Sequence, residues 1–207
     1  MLYTKNLQFR YPGVEFTFPD ISCSAGEVLL ITGASGKGKT TLLHILGGLL
    51  KPEEGHVYIN ETEMTILPAR QLDHFRGKHI GIVFQQSHFI ASLSVFDNLR
   101  IVPYLSGGTV PNDHIKKLLA QFHIADQGRK KPRQLSVGQQ QRLSIARALM
   151  NGPALLLADE PTSSLDDDNC AIVACMLQKH AVQSHAALVI VTHDQRLKQF
   201  FNRSIEL

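Results

Sequence analysis

The sequence predicts an α/β fold, and three observations carry that expectation. Short apolar runs recur at Val28–Ile31, Ile80–Phe84, Ala154–Ala158 and Ala187–Val191. They are continuous rather than alternating, as strands buried on both faces are. Between them lie stretches with apolar residues at helical spacing, such as Thr41–Gly47 and Leu143–Leu149. Where the first strand meets the first helix stands Gly33-Ala34-Ser35-Gly36-Lys37-Gly38-Lys39-Thr40. This stretch fits the phosphate-binding pattern G-x-x-x-x-G-K-[ST].

The loop sits in the context its chemistry needs. Glycines let successive backbone N–H groups curl towards one anion. The helix start adds further N–H groups and a partial positive charge. Lys39 is placed to reach the β- and γ-phosphates of a nucleotide, and the Thr40 hydroxyl to bind Mg²⁺.

Ahead of the loop, residues 2–10 alternate, with Leu2, Thr4, Asn6 and Gln8 set against Tyr3, Lys5, Leu7 and Phe9. This reads as a strand, turned at Tyr11-Pro12-Gly13 into a second strand over 14–18. Lys51–Gly55 is expected to end the loop's helix, and His56–Ile59 to form another short strand. The first third therefore reads as an antiparallel sheet beside a nucleotide-binding core.

The middle changes character. Ala69–Arg76 reads as a short helix and Ile80–Phe84 as a buried strand ending at Gln85. Ser94 is placed to cap a helix from Val95 to about Val102, and Pro111 stands at the start of another. Residues from about 86 to 150 are expected to be a mostly helical insertion in a single domain spanning 1–207. Arg129–Arg133 is a basic loop, read either as a solvated connection or as a docking surface. Ser136 is expected to cap the helix that follows it.

The strand 154–158 ends in Asp159-Glu160. Adjacent carboxylates at the C-terminal end of a core strand lie where open α/β sheets place ligands. Behind a phosphate loop, the first is suited to hold Mg²⁺ and the second to orient water. Asp166–Asp168 begins a helix running to about Gln183, with its acids at the favourable end. Thr192-His193-Asp194 closes the strand 187–191, at the same sheet edge. A last helix and a strand at 203–206 complete the reading.

Composition narrows the function classes. The 207 residues are 43% hydrophobic and 19% charged, with a formal net charge of +3, too small to argue for a nucleic-acid partner. Three cysteines, Cys23, Cys170 and Cys175, suit reduced thiols rather than a disulfide framework. No run is long and apolar enough to cross a bilayer, and the N-terminus lacks the apolar core of a signal peptide. The expected location is the cytoplasm.

Taken together, these residues resemble the nucleotide-binding subunits of ABC transporters, over essentially the whole chain. Tyr11 matches the aromatic that stacks on adenine, and Gly33–Thr40, with Thr41, the Walker A loop. Gln85 matches the Q-loop glutamine. Leu135–Gln139 resemble the signature sequence, with Ser136, Val137, Gly138 and Gln139 as its working part. Leu155–Asp159 match Walker B, Glu160 the catalytic glutamate, Ser163–Asp166 the D-loop and His193 the switch histidine. Val137 replaces the first glycine of the usual signature, Lys37 stands where serine is more frequent, and Ser164 where alanine is common. Arg76–Gln85 resembles the subgroup serving lipoprotein release, macrolide export and the cell-division permease.

The resemblance implies a P-loop NTPase core of ABC type with an N-terminal antiparallel β subdomain and a helical signature subdomain. It implies ATP hydrolysis, with Glu160, His193 and Gln85 catalytic and Thr40, Gln85 and Asp159 around Mg²⁺. Asp166 belongs to the D-loop. The signature would act in trans, so a second nucleotide-binding subunit is implied, a homodimer being expected. The other implied partner is an integral-membrane permease, which would hold the chain at the inner face of the membrane. A soluble ABC-type ATPase acting on DNA or ribosomes is the alternative, although the long coiled-coil or tandem domains usual there are missing.

Overall fold

The computed structural model describes residues 1–207. The chain opens with β1 (Leu2–Tyr11), which turns through Pro12-Gly13 into β2 (Val14–Thr17). β1 also pairs antiparallel with β3 (Ser22–Cys23) and β5 (Glu54–Ile59), and β5 pairs with β6 (Thr62–Glu63). The simple alternation read from residues 2–10 does not hold through the strand. Asn6 adopts a positive φ of 51°, and the register against β5 shifts between Lys5 and Gln8. The irregularity swaps the faces, so Leu2, Thr4 and Leu7 are the buried residues.

The second sheet is parallel throughout, in the order β10-β4-β9-β8-β7. Its strands are β4 (Val28–Thr32), β7 (Ile80–Val83), β8 (Leu155–Asp159), β9 (Ala187–Val191) and β10 (Ser204–Glu206). Every residue of β8 and β9 is buried. Alternation sends Leu155 and Leu157 to one face, where they join α1 (Lys39–Leu46) and the antiparallel sheet. Leu156 and Ala158 go to the other face. There they meet Leu143 and Ile145 of α5 (Val137–Leu149) and Val173 and Leu177 of α6 (Asp167–Ser184).

The remaining helices are α2 (Ala69–His79), α3 (Val95–Leu105) and α4 (Asn112–Gln121). Between β7 and β8 the regular elements are all helical. Ser94 caps α3, accepting from the Asp97 N–H at 3.0 Å. Several boundaries differ from the sequence reading. α2 runs on to His79 rather than ending at Arg76, and β5 starts at Glu54 rather than His56. α1 ends at Leu46, before Gly47-Gly48 rather than at Pro52, because Gly48 takes a left-handed φ of 64°. α3 runs past Val102 through Pro103 to Leu105, although Pro103 has no N–H to donate to the helix ladder. The final helix is a 3₁₀ segment, Gln195–Gln199, capped by the Asp194 side chain.

The C-terminal ends of β4, β9, β8 and β7 all open onto one edge of the parallel sheet. That edge carries the phosphate loop, Thr192-His193, Asp159-Glu160 and Gln85.

Candidate functional site

Gly33, Gly36 and Gly38 have positive φ values of 148°, 82° and 86°. At Gly38 a Cβ would also stand 2.7 Å from the Phe16 ring, so this position admits only glycine. Gly38 precedes α1, whose first turn has no side-chain cap and no acidic residue. Its positive end is thus left for an anion. Lys39 is only 9% exposed, and its ammonium donates to the carbonyls of Gly33 at 2.8 Å and Ala34 at 2.9 Å. The lysine therefore spans the loop from inside.

A cavity of about 680 Å³ opens over this loop, lined by Ser35, Gly36, Gly38, Lys39, Thr40 and Thr41. Gln85, Glu160, His193 and Phe16 complete its wall. Thr40 donates to Asp159 Oδ1 at 3.3 Å, tying the helix start to the end of β8. Burial raises the Asp159 carboxyl above its usual range, against the Thr40 hydrogen bond that lowers it. A buried carboxylate beside a hydroxyl, with no cation paired to it, is a hard-oxygen donor set suited to Mg²⁺.

Glu160 adopts a left-handed φ of 47°, unusual for a residue with a side chain, and its N–H donates to Val191 O. The twist carries the carboxylate, 9% exposed, across to the end of β9. There Oε2 accepts from the Thr192 hydroxyl at 2.7 Å. Oε1 accepts from the His193 N–H at 3.0 Å and lies 2.7 Å from His193 Nδ1. Strain of about 1–3 kcal/mol persists only where the surroundings over-determine it, as four hydrogen-bonding groups do here.

The signature stretch folds as a capping box. Ser136 Oγ accepts from the Gln139 N–H at 3.3 Å, and Gln139 Oε1 accepts from the Ser136 N–H at 3.0 Å. Val137 is 58% exposed. Gly138 packs on α6, where a Cβ would stand 3.0 Å from Asn169 Oδ1. Asn169 in turn donates to Asp166, the α6 cap. These backbone and side-chain donors hold the Asp166 carboxyl below its usual range, the backbone N–H of Asn169 foremost. None of Ser136, Val137, Gly138 or Gln139 lines the phosphate-loop cavity.

Residues 18–163 match the family model described as ABC transporter. The chain belongs to the ABC transporter family. It is the family's ATP-binding, ATP-hydrolysing domain. Over 191 residues, 91% of this chain, it is 41% identical to the macrolide export ATP-binding/permease protein MacB of Burkholderia cenocepacia. It spans only 28% of that protein's length. It is 40% identical, over 88% of its length, to the putative hemin import ATP-binding protein HrtA of Staphylococcus aureus, and covers 83% of that protein. The dimeric ATP-binding cassette MJ0796, in a structure described as post-hydrolysis with ADP and Pi, superposes with a TM-score of 0.89 at 33% identity. That match covers all of this chain and 94% of the cassette.

Within this ABC domain, the sequence-derived residues fall into two groups. Ser35, Gly36, Gly38, Lys39, Thr40, Thr41, Gln85, Glu160 and His193 share one cavity, with Asp159 beneath it. Ala34 and Lys37 are exposed on the loop, and Gly33 stands at its start. Tyr11, 41% exposed, lies outside the cavity wall and meets Phe16 edge-on at 6.3 Å between ring centres. Phe16 and Thr192 were missed from the sequence. Phe16 reads as an ordinary strand aromatic, and the link from Thr192 to Glu160 spans 32 residues.

Proposed function

We propose that this ABC domain hydrolyses ATP with Mg²⁺ in a two-fold dimer and drives an integral-membrane permease. The observation that carries the reading is the separation of two half-sites. The phosphate loop, Glu160 and His193 line one cavity with Asp159 beneath it, while Ser136–Gln139 are not part of its wall. Val137 lines a smaller neighbouring cavity of about 130 Å³, of which Gln85 and Glu160 are also part. A second copy would supply its Ser136 and Gly138 across a two-fold axis, closing each cavity. The dimeric state of the MJ0796 cassette supports this.

In the proposed reaction Lys39 exchanges its bonds to the Gly33 and Ala34 carbonyls for phosphate oxygens, joined by the loop N–H groups. Thr40 and Asp159 would hold Mg²⁺, with Gln85 approaching it through water. Bound there, Mg²⁺ would neutralise charge on the phosphate oxygens. Tyr11 would stack on the adenine. Glu160 takes the proton of the attacking water, and His193 and Thr192 hold its carboxylate in place. Asp166 and its neighbours would face the second copy.

The permease would dock in a groove of about 600 Å³ beside β7 and α3, lined by Ile82, Phe84, Ile101, Val102 and Leu105. Gln85 follows Phe84 directly, so one short stretch touches both the groove and the nucleotide cavity. Residues 86–150 would move as a helical subdomain about that joint. No helix is long and apolar enough to cross a membrane, so the domain would reach the membrane's inner face through the permease. The MacB and HrtA names differ in cargo at nearly equal identity. Cargo choice therefore belongs to the permease.

The test is capture of partners from detergent-solubilised membranes by tagged Glu160→Gln protein with ATP. Stoichiometric recovery of an integral-membrane protein supports the reading. Recovery of only ribosomal or DNA-bound proteins contradicts it.

A further inference from the structure

Behind the Glu160–His193 pair lies a network that the proposed chemistry leaves unused. The Asp194 N–H donates to the Thr192 hydroxyl at 2.9 Å, the same hydroxyl that holds Glu160. The Asp194 carboxylate accepts from the Thr162 hydroxyl at 2.7 Å. It also receives the Arg196 guanidinium through Nε at 2.9 Å and a second nitrogen at 2.7 Å. The guanidinium then crosses to the turn after Glu160. It donates to the carbonyls of Thr162 and Leu165, both at 3.2 Å, and to Asp167 at 2.7 Å. One side chain thus joins the segment after β9 to residues 162–167, which lead into α6.

We infer that Arg196 is a positioning residue that locks the Glu160–His193 pair and the turn at 163–166 into one unit. The inference rests on the reading of Glu160 and His193 given above. A planar fork is suited to this task, because its donors lie in fixed directions and serve four separate acceptor groups together. The Asp194 carboxyl is held down at about 2, chiefly by Arg196, in keeping with a tight pair. Arg196 touches neither Lys39 nor the phosphate loop, so its loss should leave nucleotide affinity intact. What it should disturb is the alignment of Glu160 in one copy and of the turn that faces the other. Misalignment of a catalytic group by its supporting residue costs on the order of 10–100-fold in turnover.

The experiment compares Arg196→Lys, Arg196→Ala and Glu160→Gln with the unaltered protein. It measures kcat for ATP hydrolysis, ATP affinity by calorimetry, and melting temperature. A lysine ammonium still pairs with Asp194 but cannot reach the Thr162 and Leu165 carbonyls and Asp167 at once. We expect R196K to melt near the unaltered protein and bind ATP within about twofold, with kcat lowered at least tenfold. R196A should lower both kcat and melting temperature. Unaltered kcat in R196K, beside an inactive E160Q, would overturn the inference alone. So would a parallel loss of ATP affinity and kcat, which would indicate a collapsed loop. Full activity in E160Q would remove the underlying reading of Glu160 as the base, and the role of Arg196 with it.

Discussion

Replacing Thr192 by valine keeps the side chain's shape and removes one hydroxyl. That hydroxyl is fully buried, donates to Glu160 Oε2 at 2.7 Å and accepts from the Asp194 N–H at 2.9 Å. A hydrogen bond to a charged group contributes about 1.5–3 kcal/mol, and the Asp194 N–H loses its acceptor as well. We expect a net loss of about 2–3 kcal/mol, a fall in melting temperature of roughly 5–10 °C for a domain of this size. Glu160 would keep only the His193 contacts, from Nδ1 to Oε1 and from the N–H to Oε1 and, longer, to Oε2, and about 1.4 kcal/mol of lost alignment would lower kcat tenfold. Thr192→Ser retains the hydroxyl and sacrifices only a methyl, a cost of about 1 kcal/mol. Thermal melts and phosphate release on both variants decide the matter. T192V with unaltered melting temperature and kcat, or T192S as impaired as T192V, would refute the role given to this hydroxyl.

Three further outcomes are expected. Lys39→Ala should weaken ATP binding at least about 100-fold by calorimetry, since charge-assisted bonds to phosphate are lost. Gly38→Ala forces a side chain to φ 86° and into the Phe16 ring, so ATP affinity should fall, as a fluorescent nucleotide titration would show. Asp194 has its folded carboxyl depressed from 3.8 to about 2. Its ionic contribution is therefore complete above the unfolded value and lost as pH falls through the folded one. The stability gap between the unaltered protein and Asp194→Asn should hold from neutral pH to about pH 4, then narrow towards pH 2 in denaturant titrations.

Much of this arrangement is legible in the chain because it is local. The buried strands declare themselves as short apolar runs, and β9 falls on residues 187–191 as read. Ser94 and Ser136 cap the helices that follow them, since capping needs only a neighbour three residues on. The phosphate loop, Glu160 and His193 reach one cavity because each follows a strand of the same parallel sheet. What escapes the sequence is non-local or too short to show a period. Strands β3 and β6 have two residues each and exist through pairing with β1 and β5. The shift at Asn6 that buries Leu7 depends on the partner strand. The links from Thr192 to Glu160 and from Arg196 to Thr162 join segments about thirty residues apart, and no spacing rule connects them. The end of α1 lies before the break that Pro52 signals, because Gly47-Gly48 stop the helix first.

The most direct test is the mass in solution of the Glu160→Gln protein, measured by light scattering with and without saturating ATP. Glu160→Gln keeps the site's shape and removes its base, so bound nucleotide should accumulate between two copies. We expect 23.0 kDa without nucleotide and twice that with ATP, reverting when Lys39→Ala is added. A mass that stays at 23.0 kDa with the site saturated would contradict the shared-site dimer.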